Sequence, residues 1–136
     1  MLLEIPRTQA EPDNPAITQE EAAAAARAIV VLFGHWGVTD EEACQILGGL
    51  SLRSYARWKK GDMGRIDRDR ATRLSLLLGI HKALRYLFSD VTRAYAWVKQ
   101  PNATFGGQRA LDVMLGGSIF ALQRVRAYLD AERGGW

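Results

Sequence analysis

The chain has 136 residues, a formal net charge of +3, 48% apolar residues and a single cysteine. That length supports one compact unit or two small ones sharing a core, and one cysteine excludes both an internal disulfide framework and a cysteine-rich zinc site. There is no apolar run long enough to span a bilayer and no basic segment followed by a hydrophobic one at the N-terminus, so a cytoplasmic protein with no membrane role is expected.

Residues 1–16 hold three of the four prolines and no sustained periodicity, and read as a flexible tail. Thr18 with Glu21 forms a capping-box signature that opens a helix, whose buried stripe is Ala26, Ile29, Val30 and Phe33. Gly34 or Gly37 ends it. Thr39 and Glu42 repeat the device for a short helix with Ala43, Ile46 and Leu47 facing inward; Cys44 within it reads as a small buried hydrophobe. Gly48-Gly49 makes a tight turn, Ser51 caps a helix over 52–60, and Gly61 stops it. A long helix follows over about 67–89, with Leu74, Leu77, Leu78, Ala83, Leu84 and Leu87 on its apolar face. Beyond it come short helices near 91–98 and 111–115 and a final helix from Ser118. There Ile119, Leu122, Val125 and Leu129 recur at helical spacing, and Phe120 is expected to pack against its neighbours. No segment alternates with the period of a strand. The fold class expected is all-α, with a helix-turn-helix unit over 17–65 packed with a C-terminal helical unit over 66–136.

Charge is concentrated in one window. Residues 51–73 carry eight Arg or Lys against three Asp, a net +5, while the rest of the chain sums to −2. Two short helices joined by a glycine turn, with arginines on the second, suit a helix that enters the major groove. On that helix Ser51, Arg53, Ser54 and Arg57 are the candidates for base edges, and Lys59 and Lys60 for phosphates. Leu52 with Tyr55 or Ala56 is expected to pack on the preceding helix, and Trp58 to be core. Because one such unit makes few contacts, operator DNA would be bound by a homodimer or larger assembly; the apolar 67–89 helix is one source of a self-association surface.

Catalytic chemistry has no foothold here. His35 and His81 stand 46 residues apart on different helical units and read as structural. No zinc-protease, Walker, dinucleotide or nucleophile-elbow motif occurs, and the acidic residues sit singly or at helix starts, where the helix dipole accounts for them. A non-enzyme without metal or cofactor is expected.

The C-terminal half carries the most specific pattern: Trp97-Val98, Pro101-Asn102, Phe105, Leu111-Asp112, Gly116-Gly117, Val125, Leu129 and Gly134-Gly135-Trp136 in that order. Over residues 66–136 this string resembles the toxin-binding domain of Xre/MbcA/ParS-type antitoxins, and 18–65, including Tyr55-Ala-Arg-Trp-Lys59, resembles the family's helix-turn-helix unit. Where the family commonly has a small residue and a proline, this chain has Arg109-Ala110, which is expected to loosen the start of the following helix.

The resemblance implies an antitoxin of a type II toxin–antitoxin module whose partner is a RES-domain toxin that consumes NAD. It implies that Arg133, Gly134, Gly135 and Trp136 form a tip directed into the toxin's cleft, with Arg126, Tyr128 and Leu129 on the docking helix. The residue chemistry agrees with such a tip. Two glycines allow the backbone to thread a narrow cleft, an indole buries a large area with one N–H to orient it, and a final carboxylate adds an acceptor for arginine. Two other readings compete: a DNA-binding regulator whose C-terminal unit only dimerises, and an adaptor that binds a protein without touching DNA.

Overall fold

The computed structural model describes residues 17–134, and all regular structure among them is helical. Helix α1 (Gln19–Trp36) opens on the predicted capping box: the Glu21 carboxylate accepts the Thr18 N–H at 2.8 Å and the Thr18 hydroxyl accepts the Glu21 N–H at 3.0 Å. Gly37, at φ +69°, closes it. Helix α2 (Asp40–Ile46) repeats the box with Thr39 and Glu42, and Gly48 and Gly49 (φ +82° and +90°) turn the chain into α3 (Leu52–Lys59). Each cap satisfies N–H groups that the first helical turn leaves without partners, a contribution of about 1 kcal/mol.

Asp67 caps α4 (Arg68–Leu87), which is followed by α5 (Val91–Ala96), two single 3-10 turns (Trp97–Lys99 and Ala103–Phe105), α6 (Ala110–Met114) and α7 (Ile119–Glu132). The single helix expected near 91–98 is therefore a helix that tightens into a 3-10 turn before Pro101. The start of α6 is not loose. The Asp112 carboxylate accepts the Arg109 backbone N–H at 3.1 Å and its guanidinium at 2.7 and 3.0 Å, and the side-chain bond to Arg109 holds that carboxyl below the usual range.

Helix α4 is the axis of the molecule. At 20 residues it is roughly 30 Å long, and α1 and α7 both pack along it. Helix α7 runs parallel to it: Arg73 meets Gly117, Gly79 faces Arg126, and Tyr86 lies under Arg133. Ile29, Phe33, Leu74, Leu77, Leu84, Leu122 and Leu129 are all buried, so the face of α4 proposed for self-association is filled by its own chain. The N-terminal helices form a helix-turn-helix unit, and the C-terminal helices pack as a second unit against it.

Several side chains depart from the pattern. Val30 is only half-buried, Leu52 and Ala56 are exposed while Tyr55 alone packs inward, and Phe120 is 79% exposed instead of packed. Burial pushes the Tyr55 phenol up to about 12, with the Asp40 carboxylate adding to it, and burial likewise raises the Cys44 thiol, as its inert role requires.

The two histidines are not separate. Both stack on Tyr95 of α5, His35 at 4.4 Å and His81 at 6.1 Å between ring centroids. Burial lowers the His81 pKa from 6.5, helped by the positive charge of Arg85 and by His35. The unfolded chain therefore takes up this proton at higher pH than the folded one. The stability owed to neutral His81 is complete above about pH 6.5 and is lost as pH falls through the folded value. Melting curves of wild type and His81→Gln at about pH 7.5 and 5.5 should show a shallower acid loss in the variant. Equal losses would remove His81 from the account.

Candidate nucleic-acid interface and C-terminal helix

Helix α3 begins where the turn presents it. The Ser51 hydroxyl accepts the Ser54 N–H at 3.0 Å, so the first turn is fixed and its outer side chains start from a rigid frame. Ser51, Arg53 and Arg57 are exposed and Ser54 is half-buried, with an Arg57 Nη2 to Ser54 Oγ distance of 3.4 Å. Arg53, Ser54 and Arg57 share one outer face, and Ser51 sits at the N-cap beside Ser54. Lys60 is exposed at the helix end, whereas Lys59 pairs with Asp40 at 2.7 Å and lies over the Tyr55 ring, which ties it to α2.

Arg73, counted in the basic window, is not on the surface at all. It is 7% exposed, and its guanidinium donates to the Gly117 carbonyl at 2.7 Å, to the Ile46 carbonyl at 3.3 Å and to Asp69 at 2.8 Å. A Cβ at Gly48 would lie 2.6 Å from that guanidinium, so the turn glycine makes room for it as well as supplying a positive φ. One cation of the window thus joins the end of α2, the α4 axis and the turn that starts α7.

Two other cations of the window, unassigned by sequence reasoning, lie beside α3. Leu50, Ser51, Ser54, Arg57, Trp58, Met63, Gly64, Arg65, Asp67 and Arg70 line a concavity of about 280 Å³ between the first turn of α3, the 60–67 loop and the first turn of α4. The Trp58 indole donates to the Met63 carbonyl at 3.1 Å, holding the loop against the core. The Gln19 side-chain amide grips both backbone groups of Ile66, accepting its N–H at 2.9 Å and donating to its carbonyl at 2.8 Å. Only the spatial return of this loop could have singled these arginines out.

The docking residues named for α7 do not form one surface. Leu129 is 1% exposed and serves the core. Arg126 lies along Gly79 of α4 and pairs with Asp130 at 3.4 Å, while Tyr128, two residues on and so on the opposite side of the helix, stacks on Trp97 and meets Phe105 edge-on. Arg133 covers the exposed Tyr86 ring at 4.8 Å, and Gly134 takes φ +97°. Gly135 and Trp136 lie outside the described residues. The exposed face of α7 is instead Phe120, Gln123, Arg124, Ala127 and Ala131. Among the described residues no cluster of His, Cys, Asp or Glu has the makings of a metal site, and no helix is long and apolar enough to cross a membrane.

Known proteins match both halves. Residues 15–79 match the Antitoxin Xre-like helix-turn-helix domain, and residues 83–135 match the Antitoxin Xre/MbcA/ParS C-terminal toxin-binding domain. Over 122 residues the chain is 37% identical to a protein of Sinorhizobium fredii (strain NBRC 101917 / NGR234) described as Uncharacterized protein y4oB, covering 90% of this chain and 94% of that one. A C-terminal domain of that kind implies a toxin as partner. The chain belongs to the Xre/MbcA/ParS antitoxin family, an Xre-like helix-turn-helix followed by a toxin-binding domain.

Proposed function

We propose that this protein is a non-catalytic antitoxin that neutralises a RES-domain, NAD-consuming toxin by placing Arg133–Trp136 in its cleft, and that as a dimer it represses its own operon through α3. The observation that carries the reading is the match of residues 83–135 to a toxin-binding domain. The geometry is compatible with it: α7 is seated on α4 by Leu122, Val125 and Leu129, so a rigid helix delivers the residues that follow it. The DNA half rests on the fixed first turn of α3 and its exposed Ser51, Arg53 and Arg57.

Co-expression tests the reading. Cells arrested by a RES-domain toxin from the same operon should resume growth, with NAD restored, when this chain is produced, and the absence of any such toxin gene beside this one would count against the reading. Continued NAD loss despite production of both proteins would reject neutralisation. A regulator whose C-terminal unit only dimerises is the second reading, favoured by the exposed Phe120, Ala127 and Ala131 on α7.

A further inference from the structure

We infer that the concavity beside α3 is a phosphate clamp, in which Arg65 and Arg70 grip a phosphodiester of the duplex that α3 reads. The inference rests on the DNA-binding reading of α3, and it assigns to Arg65 and Arg70 a task outside that helix.

Three guanidinium groups and two serine hydroxyls border the space, against one carboxylate, Asp67. The donors outnumber what the chain itself can satisfy. Asp67 accepts Arg70 Nη1 at 3.1 Å, and its other oxygen is spent on the Arg70 backbone N–H at 2.9 Å, capping α4. Arg70 Nε is buried with no hydrogen-bond partner among the described residues. Arg65 is exposed and has no carboxylate partner among the described residues, yet its backbone is immobilised on both sides, at Met63 by Trp58 and at Ile66 by Gln19. Orienting it on a ligand therefore costs less entropy than ordering an arginine on a free loop.

The excess charge selects an anion, and planar guanidinium forks match the several acceptor oxygens of a phosphate. The position selects the duplex backbone as its source, because the same concavity is walled by Ser51, Ser54 and Arg57 of the exposed α3 face. A phosphate held there would set the register of α3 without contributing sequence preference.

The test uses the full chain, a duplex from upstream of its own coding sequence and a scrambled duplex of equal composition, titrated between about 50 and 200 mM salt. Arg65→Gln and Arg70→Gln should each weaken binding to both duplexes by the same factor and lower the salt slope by about 1, whereas Arg53→Gln should change the preference between them. Arg65→Gln is the cleaner variant, since it removes no contact of the fold. Wild-type affinity and slope in both variants would overturn the clamp while leaving DNA binding intact. If the wild type binds neither duplex, the DNA reading fails. The clamp is then judged by inorganic pyrophosphate, whose phosphorus resonance should broaden with wild type and not with an Arg65→Gln/Arg70→Gln double variant. Broadening would place a free phosphorylated ligand in the concavity, and its absence would reject the site.

Discussion

Replacing Arg73 by methionine is expected to destabilise the protein by about 3 kcal/mol, lowering the melting temperature by on the order of 10 °C. The change keeps much of the apolar stem but leaves the Ile46 and Gly117 carbonyls without their donor, and an unsatisfied buried acceptor costs about 1–3 kcal/mol. Asp69 adds little to this sum, because its side chain is 51% exposed and water replaces the arginine. Lysine should recover only part of the loss: one ammonium cannot span acceptors that a planar fork meets in different directions. Denaturant titration at constant m reads the effect, with Arg53→Ala as a surface comparison expected within about 0.5 kcal/mol of wild type. A loss of under about 1 kcal/mol for Arg73→Met would mean that water replaces the guanidinium and that the tie is structural in appearance only. Gly48→Ala adds a second check. Its cost should be smaller beside Arg73→Met than in wild type, since part of it is collision with the guanidinium.

Removing Arg133–Trp136 is expected to abolish neutralisation while leaving the fold almost unchanged. Losing an aromatic anchor seated in a partner's cleft typically costs about 2–4 kcal/mol, roughly 30- to 700-fold in affinity. Among the described residues the deletion removes the stacking of Arg133 on Tyr86, its 3.7 Å approach to Asp130, and the backbone hydrogen bonds of Arg133 and Gly134 to the last turn of α7, none of which reaches the core. Melting temperature and duplex binding should therefore stay close to wild type. Titration of the purified toxin's NAD-consuming activity with full-length and shortened chains reads the difference. Full inhibition by the shortened chain would move the toxin contact elsewhere, with Phe120, Arg124 and Ala127 on the outer face of α7 the next surface to test.

What the sequence disclosed divides by distance along the chain. Thr18 with Glu21 and Thr39 with Glu42 meet three residues apart, so both helix starts are local chemistry and were legible. The Gly48-Gly49 turn and the heptad-like spacing of Leu122, Val125 and Leu129 were legible for the same reason. Arg73 was not: its shortest hydrogen bond is to an acceptor 44 residues downstream, and nothing in a run of arginines marks the one that turns inward. Tyr95 stacking between His35 and His81 likewise depends on three helices meeting. For the candidate sites, periodicity placed Arg53, Ser54 and Arg57 together on the outer side of α3, because Arg57 stands four residues from the first and three from the second. On α7 periodicity put Leu129 in the buried stripe, where it lies; the family resemblance grouped it with Arg126 and Tyr128 as one docking surface, and those two point to opposite sides. A motif shared with a family names positions of importance, and importance for packing reads the same as importance for contact.

The helix-turn-helix match ends at residue 79 and the toxin-binding match begins at 83, yet both points lie inside the unbroken α4. A helix turns by about 100° for each residue it gains, so the angle between the helix-turn-helix unit and the C-terminal unit is set by a residue count within one rod. Recombination between relatives at this seam would have to conserve length to the single residue: an insertion would swing one end around the other before any contact surface had changed.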